Sequence, residues 1–145
     1  SVYALVSRQR RPEIAFHIGG LLRKRMSGEL LNENLFLVVG LLNKGIQFIP
    51  TTKTTERVSL AELNLLAGKK SFHRSDFHQA ASYFSKGVSL LSSNCWRVFD
   101  ELTVELYSYV GEALYCTGQH EKTESYCKAI IGRSNIPLLR KRRAY

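Results

Sequence analysis

Two stretches of this chain carry the same spacing of small and bulky residues, and that spacing limits how its helices can pack. Gly68 is followed twelve residues on by Ala80 and four further on by Phe84. Gly111, Thr123 and Cys127 repeat those separations, with the whole pattern displaced by 43 residues. A small residue on each of two helices lets their backbones approach closely, while a bulkier one fills the space beyond. Glycine inside a helix costs about 1 kcal/mol against alanine. Two of them at matching positions predict close contacts that leave no room for a side chain, Gly68 opposite Ala80 and Gly111 opposite Thr123.

Apolar periodicity fills in the helices around these glycines. The first helix spans residues 8–25, with Pro12 in its first turn and apolar Ile14, Ile18, Leu21 and Leu22 along one side. After a break at Ser27-Gly28, a second helix spans residues 29–43 and buries Leu31, Leu35, Val38, Val39 and Leu42. Pro50 interrupts the connector. The next helix starts either at Ser59, where Ser59 and Glu62 have capping-box spacing, or earlier near Thr54. It ends near Phe72, and Ser75 is the expected N-cap of its partner, which carries Phe77, Ala80, Ala81, Phe84, Val88 and Leu91. A long helix over residues 95–116 and a last one from Gln119 complete the set, separated by the C-cap signal Thr117-Gly118. A weaker front copy of the pattern pairs Gly19 with Leu31 and Leu35.

The fold class is therefore all-α, with antiparallel helical hairpins over residues 9–43, 57–91 and 95–132, followed by a basic tail at 138–145. The spacing matches the tetratricopeptide (TPR) skeleton, so the hairpins are expected to stack as a short TPR-like solenoid within one helical-repeat domain, residues 1–137.

Four segments also carry a family resemblance. FHIGGLL, LFLVVGLLNKG, LAELNLLAGKKS and LTVELYSYVGEALYCTGQHEKTESYCKAII, in this order, resemble one kind of helical region. It is the tetratricopeptide-like region that follows the ATPase module in large signal-transduction proteins, hybrids of Ser/Thr-kinase-like domains, AAA-type or signal-transduction ATPases and sensor histidine kinases. The resemblance covers residues 2–133. The chain departs from it at Ser71, where alanine is usual, and at Gly20, where a basic residue is usual. It implies a regulatory segment of a cytoplasmic ATP-dependent signalling protein, its catalytic domains lying elsewhere in a longer chain.

The net charge of +9 belongs to the ends. Residues 1–25 hold six basic side chains and one acidic, residues 133–145 five basic and none acidic, and the middle is close to neutral. Clusters such as 140–143 can bind phosphates without sequence preference, which makes a nucleic-acid-binding helical module the alternative function. No aromatic residues interleave with these clusters as a single-strand platform requires, and solvated charge is the preferred reading. Cys95, Cys116 and Cys127 show no C-x-x-C spacing and read as reduced thiols of a cytosolic protein, Cys116 and Cys127 as buried ones. No apolar run has the ~20 residues needed to span a bilayer.

No catalytic, cofactor-binding or metal-ligating residues are nominated. Gly68-Lys-Lys-Ser71 lacks the upstream glycine of a phosphate-binding loop, since Leu63 stands there. His73, Asp76 and His78 straddle a turn without the i, i+4 spacing of a helical zinc pair. The expected function is non-catalytic: a protein partner, or neighbouring domains of the same polypeptide, bound on a helical-repeat surface.

Overall fold

In a computed structural model, which describes residues 11–91 and 100–131, every regular element is helical and no strand is present among the described residues. The elements are α1 (Arg11–Arg25), α2 (Gly28–Glu33), α3 (Leu35–Asn43), a 3-10 turn (Ile46–Phe48), α4 (Thr54–His73), α5 (Phe77–Leu90), α6 (Asp100–Cys116) and α7 (His120–Ile131). No described helix is long and apolar enough to cross a membrane. Cys95, the expected helix starts at 8 and 95, and the basic tail lie outside the described residues. The chain divides into two compact units, one up to Leu60 and one from Ala61.

In the first unit α1 packs on α3. The buried side of α1 is not the stripe of large apolar residues that periodicity points to. Ala15 and Gly19 are buried, whereas Ile18 and Leu21 are 43% and 45% exposed. A Cβ at Gly19 would lie 3.0 Å from Leu41 Cβ and 3.1 Å from Leu42 Cγ, so the small residues set the distance to α3. The front copy of the repeat, with Gly19 opposite Leu31 and Leu35, is thereby corrected: the glycine meets the far end of α3 instead. Leu35, Val38, Val39 and Leu42 are buried as expected.

The single helix expected over 29–43 is two. Asn34 interrupts it, its side-chain amide donating to the Leu30 carbonyl at 2.9 Å while its backbone N–H is shared between the Leu30 and Leu31 carbonyls. A short amide side chain competes in this way for the carbonyls that would continue a helix.

α4 begins at Thr54, the earlier of the two candidate starts. Ser59 lies inside it and its hydroxyl accepts from the Arg23 guanidinium, so it is not an N-cap.

In the second unit, α5 packs against α6 and α6 against α7. The turn after α4 corrects the N-cap assignment. Ser75 sits at φ 62, Asp76 N–H donates to the Ser71 carbonyl, and Ser75 N–H donates to the Phe72 carbonyl. This is a Schellman C-cap with serine in the left-handed position. The N-cap of α5 is the next residue: Asp76 Oδ1 accepts from the Gln79 N–H at 3.3 Å.

The turn after α6 repeats the device, with Gly118 at φ 83, Gln119 N–H donating to the Leu114 carbonyl and Gly118 N–H donating to the Tyr115 carbonyl. Ser75 and Gly118 are separated by the same 43 residues as Gly68 and Gly111.

Candidate interaction surfaces

Tyr109 holds three helices of the second unit together. Its ring stacks on Phe84 of α5 at 5.1 Å between centroids and meets the edge of Phe72 of α4 at 6.0 Å. Phe72 in turn sits edge-on to Phe77 at 5.2 Å. Aromatic pairs in these geometries contribute about 0.5–1.5 kcal/mol each beyond the area they bury. Lys69 Nζ lies 5.4 Å from the Tyr109 centroid and 2.8 Å from Glu105 Oε2 on α6, so a cation closes the aromatic cluster toward solvent.

Both repeated glycines face the residue sixteen positions on. A Cβ at Gly68 would lie 2.6 Å from Phe84 Cδ1, and one at Gly111 would lie 3.7 Å from Cys127 Sγ and 3.9 Å from the Thr123 carbonyl. Gly111 thus stands opposite Thr123 as expected. Gly68 meets the Phe84 ring before it meets Ala80. The expectation that neither site has room for a side chain holds for Gly68 and is corrected for Gly111, where a methyl group makes ordinary contact. Thr123 Oγ1 donates within the second pair, at 3.1 Å from the Gly111 carbonyl and 3.1 Å from that of Gln119. Tyr107 and Tyr126 close the other flank, edge-on at 5.4 Å.

On α4, Glu62, Leu66, Lys69 and His73 follow each other at helical spacing along one side, with Leu66 52% exposed. Glu101, Glu105 and Glu112 do the same on α6, and the Lys69–Glu105 pair ties the two rows together. On this strip α4 contributes an exposed leucine and a lysine, and α6 contributes carboxylates.

Lys69 and Lys70 lie toward the C-terminal end of α4, and Ser71 is buried with no hydrogen-bond partner for its hydroxyl among the described residues. His73 and His78 are exposed on either side of Asp76, whose carboxylate serves the α5 cap. His120 meets the edge of the Tyr115 ring at 4.8 Å. Cys116 and Cys127 are free thiols, but only Cys127 is half-buried, and Cys116 is exposed, which corrects the reading of both as buried. Burial, with the Glu112 carboxylate adding to it, pushes the Cys127 thiol above its ordinary value.

The first unit holds a feature with no signal in the sequence. One face of α1 borders two cavities that share Phe16. The first, about 440 Å³, is lined by Glu13, Ile14, Phe16, His17 and Phe48. The second, about 500 Å³, lies between α1 and the start of α4, with Leu42, Ile49 and Leu60 as apolar lining and Arg23, Lys24, Glu56 and Ser59 among its polar residues. Phe16 and Phe48 stand 6.4 Å apart at 58°. Arg57 Nη1 donates to the Ile49 carbonyl at 3.0 Å, which fixes the connector that carries Ile49.

Comparison of the chain with protein-family models, with characterised proteins and with solved structures finds no match in any of the three.

Proposed function

We propose that this chain is a non-catalytic, regulatory helical-repeat segment that binds a protein partner or a neighbouring domain of its own polypeptide, within a multi-domain ATP-dependent signal-transduction protein. One observation carries the repeat reading. The left-handed cap at Ser75 and Gly118, and the glycine contacts Gly68–Phe84 and Gly111–Cys127, all recur at a displacement of 43 residues. A sequence repeat by itself predicts similar helices. Recurrence of both the turn and the packing contact supports two copies of one structural unit, as TPR-like solenoids require.

Repeats of this kind bury one face on their neighbours and leave another open along the stack, which suits binding. The open row of Leu66, Lys69 and the α6 carboxylates is the surface assigned to it. The signalling context rests on the resemblance of residues 16–22, 35–45, 60–71 and 102–131 to the region that follows a signalling ATPase.

A photo-crosslinking residue at position 66 tests the binding in cells. Adducts to a protein, or to another part of its own polypeptide, are expected; adducts to nucleic acid alone overturn the reading. Incubation of the purified chain with labelled ATP and magnesium tests the other half. Phosphate release that survives repurification would show that the segment is catalytic after all.

A further inference from the structure

We infer that the first unit holds a second binding site, a groove along α1 that takes an amphipathic α-helix with an acidic end. The inference rests on the reading of the chain as a binding segment but uses a different unit and different residues from the row around Leu66.

The two cavities beside α1 share Phe16, so together they follow one face of the helix from Glu13 to Lys24. At 1.5 Å per residue that is roughly 16 Å, about three turns of a bound helix. The floor is apolar, formed by Phe16, Leu42, Ile49 and Leu60 with Phe48 at the rim, and this suits the apolar stripe of a helix laid into a groove. Gly20 lies midway, and a Cβ built there meets nothing within 4 Å. The missing side chain keeps the groove open at its centre.

Charge selects the occupant. Glu13 stands at one end and Arg23 and Lys24 at the other. The Arg23 guanidinium is held by the neutral Ser59 hydroxyl, so its charge is not cancelled by a carboxylate there. Glu56, the acidic residue on this side of the groove, is already paired with Lys53 at 3.6 Å. The basic end therefore calls for acidic residues on the ligand, close to a leucine or aromatic residue that fills the cavity. A second copy of this chain is disfavoured as the occupant, because two chains of net charge +9 repel each other.

The test is fluorescence anisotropy with a labelled synthetic helical peptide of fourteen residues, carrying leucines at i, i+3, i+4 and i+7 and glutamates at one end. Controls are the same peptide with lysines in place of the glutamates, and sodium decanoate as a competitor. The acidic peptide should bind at least tenfold more tightly than the basic one, and the preference should invert in Lys24→Glu with Arg23→Glu. Gly20→Leu places a side chain in the groove from a position whose Cβ stands in open space, and it should abolish binding while circular dichroism stays that of the parent. Equal affinity for both peptides, or unchanged binding to Gly20→Leu, overturns the proposal. Binding of neither peptide refutes a helix site, and saturable decanoate binding by titration calorimetry in that case would mean that the cavity takes a small amphiphile. Crosslinks from position 66 are read separately, so a failed groove and a failed repeat surface are told apart.

Discussion

Replacing Gly68 with alanine sets helix propensity against packing in one experiment. In an exposed helix interior the change stabilises by up to about 1 kcal/mol. Here the new methyl carbon would stand 2.6 Å from Phe84 Cδ1, where carbon atoms prefer about 3.5–4.0 Å. The ring cannot yield, since Phe84 is fully buried and stacked on Tyr109 at 5.1 Å. Overpacking of this kind costs about 1–3 kcal/mol, and so short a contact belongs at the upper end. Gly68→Ala should therefore lose about 2 kcal/mol net, a shift of roughly 1 M in urea midpoint for a slope near 2 kcal/mol/M. Gly111→Ala supplies the opposite sign: its methyl makes ordinary contact with Cys127, and the variant should gain up to about 1 kcal/mol. Urea unfolding followed at 222 nm measures both. In a Phe84→Leu background, which carries its own cavity cost, Gly68→Ala should lose little or nothing further, because the clash is with the ring. A Gly68→Ala protein as stable as its parent refutes the contact.

Ser71→Ala should stabilise the chain by about 1 kcal/mol, because it removes a buried hydroxyl that has no hydrogen-bond partner; a loss in the same urea assay would mean that the hydroxyl is satisfied. At the turn after α4, Ser75→Gly should gain up to about 1 kcal/mol by relieving a left-handed serine, while Asp76→Ala should lose about 1 kcal/mol with the cap of α5. If Ser75→Ala proves the costlier of the two alanine variants, the cap has been placed on the wrong residue. In a Cys95→Ser background, iodoacetamide should alkylate exposed Cys116 before Cys127 at pH 8. Raising the pH should narrow the gap, since a thiol pushed up by burial forms its thiolate later.

Periodicity located the helices because it depends on residues three and four apart, but it did not say which side of α1 is buried. Ile14, Ile18 and Leu21 dominate any hydropathy pattern, yet Ala15 and Gly19 are the buried residues and Gly19 meets α3, since small residues allow the closest approach and carry almost no hydropathy signal. Asn34 broke a helix through a local side-chain bond that its neighbours' apolar spacing hides. Ser59 has capping-box spacing to Glu62, but its hydroxyl is taken by Arg23, 36 residues earlier in the chain. Matching the glycines alone predicted two equally tight contacts, and the difference between Gly68 and Gly111 lies in the residue sixteen positions on, a phenylalanine in one case and a cysteine in the other. The groove beside α1 was not legible, because its walls come from three separated segments and its opening depends on an atom that Gly20 lacks.

Because Phe72, Phe84 and Tyr109 meet on one ring, their substitutions are conditional on one another. A variant that shrinks Phe84 does more than leave a void: it frees position 68 to accept a side chain, the situation that already obtains at 111 opposite Cys127. The two copies are thus alternative solutions of one packing problem, glycine against a large ring and glycine against a thiol. Only the second can exchange its glycine for alanine in a single mutational step. A lineage carrying this chain should keep glycine at position 68 as long as Phe84 stands, while position 111 accepts alanine.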